Sequence, residues 1–137
     1  MRTRNNSMLR PSIGHRTDAG LDVPFKKSFE LEPGHSVCVE LPIENLNLKR
    51  GTCGITFIRS KYAQYGVICQ PTVIDAGYTG KVHVWLYNVT KACLTFEAGV
   101  AYIQIVCFKV REWKKVNGIS VKVKSDAKRG KNRDTTR

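Results

Sequence analysis

The feature that most limits the possible folds is a run of strict alternation over residues 81–88, directly after a turn-rich segment. One set of side chains is Lys81, His83, Trp85 and Tyr87, and the other is Val82, Val84, Leu86 and Asn88. Alternation with a period of two residues is typical of a β-strand with one buried face. Pro71, Gly77 and Gly80 precede it, and glycine takes the positive φ angles that tight reversals need. The sequence therefore predicts a strand at residues 67–69, a hairpin and a second strand.

Shorter alternating runs fill most of the remaining chain. They predict strands over residues 21–23, 29–31, 35–41, 52–58, 91–97 and 101–110. Turn residues separate them at the spacing of roughly eight to twelve residues that is typical of antiparallel barrels and sandwiches. Residues 61–64 predict a single helical turn, the one helix expected in the core. We therefore predict an all-β protein with one short helix.

The net charge of +12 is concentrated at the two ends of the chain. Residues 1–17 contain four arginines and no acid, and residues 109–137 contain 11 Lys/Arg against three Asp/Glu. We predict a basic flexible N-terminal arm over residues 1–16, a folded domain over 17–123 and a basic C-terminal arm over 124–137. Such arms favour polyanions, although solvated tails need no partner. Residues 124–137 contain no aromatic side chain for stacking on bases.

The sequence shows no sign of export or of a membrane span. No apolar run approaches the roughly 18 residues of a membrane helix, and the first ten residues lack the apolar segment of a secretory signal. The five cysteines are odd in number and contain no C-x-x-C pair, which favours a reducing compartment. We therefore predict an intracellular protein.

Two polar residues lie three positions apart at the predicted hairpin, Asp75 and Tyr78. A carboxylate on a rigid hairpin beside an aromatic ring is a plausible general base next to a flat ligand. An aspartate and a tyrosine are also common in turns for purely structural reasons. The neighbouring sequence has to decide between the two interpretations.

Four stretches, in this order and at these spacings, resemble the motifs of the trimeric dUTPase family over roughly residues 17–108. They are DAGLDV at 18–23, IRSKYA at 58–63, TVIDAGYTG at 72–80 and GVAYIQIV at 99–106. The third stretch is close to the family pattern G-V-I-D-x-(D/G)-Y-x-G over nine consecutive positions. The first stretch is similar to A-G-x-D-L, and the second and fourth match their patterns in part.

The resemblance implies a fold, an activity and an assembly. The fold would be a dUTPase-like β-clip, or distorted jelly-roll, barrel with a C-terminal arm that crosses to a neighbouring subunit of a homotrimer. The activity would be hydrolysis of dUTP to dUMP and pyrophosphate, with Mg²⁺ as the cofactor. Asp75 matches the aspartate that activates water, and Asp22 matches the aspartate at the metal, which it reaches through water.

The resemblance also implies which residues bind the substrate. They are Arg59, Ser60, Lys61, Val73, Ile74, Tyr78, Gln104 and Arg129. Arg59 and Ser60 match phosphate contacts, for which a guanidinium fork and a hydroxyl are suited. The ring of Tyr78 would pack on the deoxyribose and exclude a 2′-hydroxyl. The main chain near Val73 and Ile74 would pair with uracil, and such readout discriminates strongly because a wrong base leaves polar groups unpaired.

The chain departs from the family pattern at several positions. Lys61 replaces a small residue, Thr72 replaces a glycine and Ala101 replaces an arginine. The fifth motif, read here as RGKNRDTTR over residues 129–137, lacks the aromatic and the glycines that close the site. The alternative function is therefore a dUTPase-derived, catalytically weak nucleotide-binding or protein-interaction module. A relative of dCTP deaminase is a weaker alternative, because nothing in the chain supplies a deamination motif.

Overall fold

The computed structural model of the protein describes residues 8–124, and residues 1–7 and 125–137 lie outside the described part. Its strands are β1 (Gly20–Pro24), β2 (Phe29–Leu31), β3 (Ser36–Glu44), β4 (Thr52–Ile58), β5 (Val67–Gln70), β6 (Val73–Ile74), β7 (Lys81–Asn88), β8 (Leu94–Phe96) and β9 (Ala101–Lys109). Two 3₁₀ helices cover Ser60–Tyr65 and Trp113–Lys115. The predicted all-β class is confirmed, and the predicted helical turn corresponds to the first 3₁₀ helix. Over residues 8–124, no helix is long and apolar enough to cross a membrane.

The strands form three antiparallel sheets. The largest has the order β1-β9-β4-β6, a second has the order β3-β7-β5, and β2 pairs with β8. The inward-facing set of β7 is buried, as its alternation predicts, with Val84 and Leu86 fully excluded from solvent. The long strand β9 lies between β1, which carries most of the first motif, and β4, whose last residue begins the second motif.

The predicted hairpin after residue 67 contains an additional short strand between its two expected strands. β5 and β7 pair as expected, from Val67 opposite Asn88 to Gln70 opposite Trp85. Between them, however, the chain leaves this sheet and forms β6, which pairs with β4 in the largest sheet. The hairpin segment therefore connects two sheets, and its position depends on both.

Two predicted strand boundaries are wrong. β3 continues through Pro42 to Glu44, where the sequence predicts a connection from residue 42 onwards. The pairing shifts register between Glu40 and Glu44, and proline is tolerated at such an irregularity because no ladder hydrogen bond is needed from its nitrogen. β8 covers only residues 94–96, because the residues before it form bends around the end of β7.

One residue of the predicted N-terminal arm pairs with β1. Ser12 forms an isolated bridge with Asp22, in which each amide N–H donates to the other residue's carbonyl over 2.9 and 2.7 Å. Residues 119–123, which alternate in the sequence, form no strand in the structure. The C-terminal arm beyond Lys124 lies outside the described residues.

A cluster of aromatic side chains fills one end of the core. Phe25 contacts Tyr102 with ring centroids 5.0 Å apart, and Tyr102 contacts Tyr62 at 4.7 Å. Phe96 packs edge-on against Tyr102 at 4.9 Å. Aromatic pairs at these distances add stabilisation to the burial of their area. Because Tyr62 belongs to the first 3₁₀ helix, this cluster also holds the loop that begins at Arg59.

A network of charges lies on the β3–β7 sheet around Glu40. Its carboxylate accepts a hydrogen bond from Lys26 and lies 3.5 Å from Lys81 Nζ and 3.7 Å from His83 Nε2. The hydrogen bond from Lys26 is the main cause that lowers the pKa of Glu40. A carboxyl group whose pKa is lowered by folding stabilises the fold above its unfolded pKa of about 4.3.

We expect Glu40→Gln to lower stability at pH 7 by about 1 kcal/mol or less, since the group is about one-third exposed. The difference from wild type should disappear as the pH falls through the lowered pKa of Glu40, because wild type then loses the same charge. Urea unfolding between pH 7 and pH 3 measures this, with the exposed Glu32→Gln as the control. Stability curves for wild type and Glu40→Gln that stay parallel over this range would contradict the expectation.

Candidate active site

Asp22, Arg59 and Gln104 come together on the sheet β1-β9-β4. Asp22 on β1 lies opposite Gln104 on β9, and Gln104 lies opposite Phe57 on β4. Arg59 follows the end of β4, and its Nε lies 3.2 Å from Asp22 Oδ1, with the two side chains only 28% and 17% exposed. A carboxylate, a guanidinium and a carboxamide from three separate motifs therefore form one polar cluster.

The backbone around Arg59 fixes the direction of its side chain. Its amide N–H donates to Tyr102 O over 2.9 Å, and its Nη1 donates to Ala101 O over 2.9 Å. The guanidinium carbon lies 5.8 Å from the centroid of the Tyr62 ring. Bonding on several sides holds the fork in one orientation, as recognition of a phosphate requires.

Gly20 is a member of the site that sequence reasoning left without a role. A Cβ atom at this position would lie 2.1 Å from Gln104 Oε1, so any side chain would displace the carboxamide. The side-chain nitrogen Nε2 of Gln104 donates to Ile58 O on the neighbouring strand over 3.5 Å. A glycine inside a strand often marks such a close approach, and this was the available signal.

Ser60 and Lys61 are exposed at the start of the first 3₁₀ helix, next to the cluster. Arg59 precedes them in an extended conformation, and Tyr62 after them is buried. The Lys61 ammonium lies 5.5 Å from the centroid of the Tyr62 ring. The loop therefore presents a hydroxyl and an ammonium group beside the guanidinium.

The hairpin carries the second group of predicted site residues. Asp75 is exposed, and its carbonyl accepts the amide N–H of Tyr78 over 3.1 Å across a turn in which Gly77 has a φ of 80°. The Tyr78 hydroxyl donates to Lys81 O over 2.7 Å. Val73 is exposed and Ile74 is buried in β6, the outer strand of the sheet. An outer strand presents main-chain groups on its unpaired side.

Backbone hydrogen bonds hold this hairpin against the connection after β3. Gly77 N–H donates to Leu48 O over 3.1 Å, and Asn47 N–H donates to Tyr78 O over 3.2 Å. On the other side, the buried hydroxyl of Thr56 accepts the Thr72 N–H over 3.0 Å. Hydrogen bonds on both sides therefore fix the loop that carries Asp75.

Within one chain, the two groups of residues do not meet. Ile74 lies opposite Gly54, which is five residues before Arg59, or about 17 Å along the strand. Because β6 is antiparallel to β4, the chain moves still further from Arg59 as it reaches Asp75. The structure thus brings Asp22, Arg59, Ser60, Lys61 and Gln104 into one half-site, and Val73, Ile74, Asp75 and Tyr78 into another. Arg129 lies outside the described residues.

The fold and the two half-sites define an all-β protein in which a carboxylate lies on a hairpin and a guanidinium lies apart from it, at the end of β4. A family model for dUTPase matches residues 7–133, and the chain belongs to this family. The predicted family and fold are confirmed, and membership supports the predicted hydrolysis of dUTP.

Relatives in sequence agree with this. The chain is 33% identical over 126 residues to a deoxyuridine 5′-triphosphate nucleotidohydrolase from Corynebacterium diphtheriae, covering 89% of this chain and 80% of the relative. It is 34% identical over 90 residues to the Pol polyprotein of caprine arthritis encephalitis virus, covering 65% of this chain. The match spans only 8% of that polyprotein.

Solved structures show the same fold. A dUTPase mutant of phage 80alpha superposes with a TM-score of 0.71 at 20% identity, covering 82% of this chain and 84% of that one. The native EIAV dUTPase gives 0.69 at 18% identity, with 86% and 92% covered. A mutant dUTPase from phage phi11 of S. aureus, described with a structural Mg(II) ion, gives 0.70 at 20% identity, with 83% and 94% covered.

We expect Thr56→Val to destabilise the protein by about 1–3 kcal/mol, because the Thr72 N–H loses its buried acceptor while the shape of the side chain is kept. Thr56→Ser keeps the hydroxyl and serves as the matched control, and it should cost less. Chemical denaturation measures both. A loss for Thr56→Val no larger than the loss for Thr56→Ser would contradict the expectation, because the hydrogen bond would then contribute no more than the methyl group.

Proposed function

We propose that the protein hydrolyses dUTP to dUMP and pyrophosphate, in sites shared between the subunits of a homotrimer. The single observation that carries the proposal is the family match over residues 7–133, which includes both half-sites. The activity keeps uracil out of DNA by removing its precursor. An intracellular location accords with the five cysteines, all of which are free.

Asp75 would act on the attacking water. Its carboxylate is exposed at the braced hairpin, so it can orient a water molecule and accept its proton. Hydrogen bonds at Leu48 and Tyr78 limit the movement of this loop. Catalysis of phosphoryl transfer depends chiefly on such positioning and on charge stabilisation.

The other half-site would hold the phosphates. Arg59 can donate a charge-assisted pair of hydrogen bonds, and Asp22 keeps the guanidinium in place. Ser60 and Lys61 add a hydroxyl and a positive charge at the mouth of the cluster, and Gln104 adds an amide donor. We further propose that Arg129 contacts the γ-phosphate.

The hairpin would select the nucleoside. The ring of Tyr78 is held by the bond from its hydroxyl to Lys81 O, and packing of deoxyribose on this ring leaves no space for a 2′-hydroxyl. The main chain of Val73 and Ile74 lies on the outer strand of its sheet, where polar groups can pair with the edge of uracil. Pairing of this kind rejects other bases strongly.

We also propose Mg²⁺ as the cofactor. Over residues 8–124 no group of three or more metal-ligating side chains occurs, so this part of the chain offers no all-protein cage. This donor set fits Mg²⁺, which keeps several waters and is usually held by one or two carboxylates together with substrate phosphates. Asp22 would contribute through water, since its carboxylate already faces Arg59. When bound, the cation neutralises charge on the triphosphate.

Asp75→Asn should abolish hydrolysis while leaving the affinity for dUTP largely unchanged, because the amide keeps the shape but cannot accept the water proton. Pyrophosphate release and calorimetric titration with dUTP measure the two quantities. Undiminished hydrolysis by this variant would remove Asp75 from its proposed role. dTTP, dCTP and UTP serve as controls for specificity.

The separation of the half-sites predicts complementation between two inactive variants. Asp75→Asn and Arg59→Ala should each be inactive alone, and their co-expressed mixture should regain roughly a quarter of the wild-type rate, as random assortment in a closed ring gives. Light scattering should show a particle near three times 15.4 kDa. A monomer, or a mixture as inactive as its components, would contradict a shared site.

A further inference from the structure

A basic, partly aromatic surface lies at the end of the domain remote from Arg59. We define the basic end as residues 49–50 and 109–115. Its positively charged side chains are Lys49, Arg50, Lys109, Arg111, Lys114 and Lys115, and all six residues are exposed. Glu112 is the one acid in these two segments. The charge here is therefore strongly positive on a folded surface.

Contacts between the two segments make the basic end one surface. Thr52 lies opposite Lys109 in the β4–β9 ladder, and Val110 N–H donates to Gly51 O over 2.9 Å. Arg50 binds Glu112 through two hydrogen bonds of 2.6 and 3.1 Å, and Lys115 lies 3.8 Å from the same carboxylate. Glu112 thus draws the cations of both segments together while offsetting only part of their charge.

Trp113 is exposed in the middle of this charge. It opens the second 3₁₀ helix, is followed directly by Lys114 and Lys115, and is 62% exposed. Indole rings are normally highly buried on average, so a tryptophan that stands out between lysines indicates a contact surface. Phe108 and Val110, at the end of β9, add further exposed apolar area.

A flat aromatic ring between cations matches one kind of ligand best. Single-stranded nucleic acid offers unstacked bases that lie on aromatic rings and phosphates that lie against Lys and Arg. A duplex hides its base faces, and an acidic peptide has no regular series of flat rings. Stacking does not depend on sequence, because every base has a π face.

We propose that the basic end binds single-stranded nucleic acid, with a base stacked on Trp113 and phosphates held by the surrounding lysines and arginines. This site is distinct from the phosphate half-site. The seven residues of β4 lead from the basic end to Arg59 and span about 20 Å along the strand. The basic arms at both termini increase the long-range attraction, and the basic end supplies the fixed contact.

Trp113 itself reports on the binding. The chain has two tryptophans, so Trp85→Phe leaves Trp113 as the sole tryptophan. Addition of a thymidine oligodeoxynucleotide of about 16 nucleotides, a length that fits known single-strand sites, should quench its emission to saturation. The apparent affinity should fall steeply as salt is raised, because phosphate contacts release counterions. Absence of quenching at low salt would overturn the proposal.

Charge reversal separates the basic end from the basic terminal segments, which all variants keep. Lys114→Glu with Lys115→Glu should weaken binding of a labelled oligonucleotide at least about tenfold and reduce the salt dependence. Lys27→Glu with Lys91→Glu makes the same change in net charge beside the β2–β8 sheet, and should weaken it much less. Equal losses for the two pairs would show that overall charge and the arms do the binding, and would overturn the proposal.

Two further measurements test the stacked base and the free surface. Trp113→Ala should weaken binding about fivefold or more at constant salt dependence, and Trp113→Phe should restore most of it.

Acrylamide should quench Trp113 in the assembled protein without oligonucleotide. A shielded Trp113 would mean that a second copy of the chain covers this surface, and would overturn the proposal. Hydrolysis of dUTP should be unchanged in the Lys114/Lys115 variant, so failure of this proposal is distinguishable from failure of the proposed function.

Discussion

The register of β9 between β1 and β4 is the constraint on which the phosphate half-site depends. Side chains alternate across a sheet, so Asp22 and Gln104 share a face only because they are direct partners. A slip by one residue would turn one of them to the opposite face. Ile103 and Ile105, buried on the opposite face of the same strand, fix the register, because a slip by one residue would turn them out of the core. Burial of these apolar side chains therefore also sets the position of the polar cluster.

The sequence was sufficient for features that depend on local pattern. The alternation of β7, the turn at Gly77 and the helical turn before Gly66 all follow from side-chain periodicity and glycine geometry. The bounds of β4 are also predicted correctly, since its apolar run ends at the charged Arg59. Local patterns fix such elements because burial and backbone preference act on neighbouring residues.

Features that depend on distant partners could not be predicted. No local pattern predicts that β6 pairs with β4. The pairing is supported by the buried hydroxyl of Thr56, which accepts the Thr72 N–H and lies 16 residues away in the sequence. The sequence Asn88-Val89-Thr90 has the N-x-T form of a glycosylation acceptor, but the Asn88 amide is buried and donates to Leu31 O and Ala92 O. The Asp22–Arg59 ion pair likewise joins two strands that only β9 brings together. In each case the partner is chosen by the topology.

Ala101 shows how such a topology can absorb a change in sequence. The residue replaces an arginine of the family pattern, but its contribution to the half-site is the main-chain carbonyl that accepts a hydrogen bond from Arg59. Any amino acid at this position supplies that carbonyl, because it belongs to the backbone of β9. The remaining bonds to Arg59, from Asp22 and from the Tyr102 carbonyl, do not involve the side chain at 101. The replacement of the arginine therefore removes one positive group without releasing Arg59, so the order of the polar cluster does not depend on it.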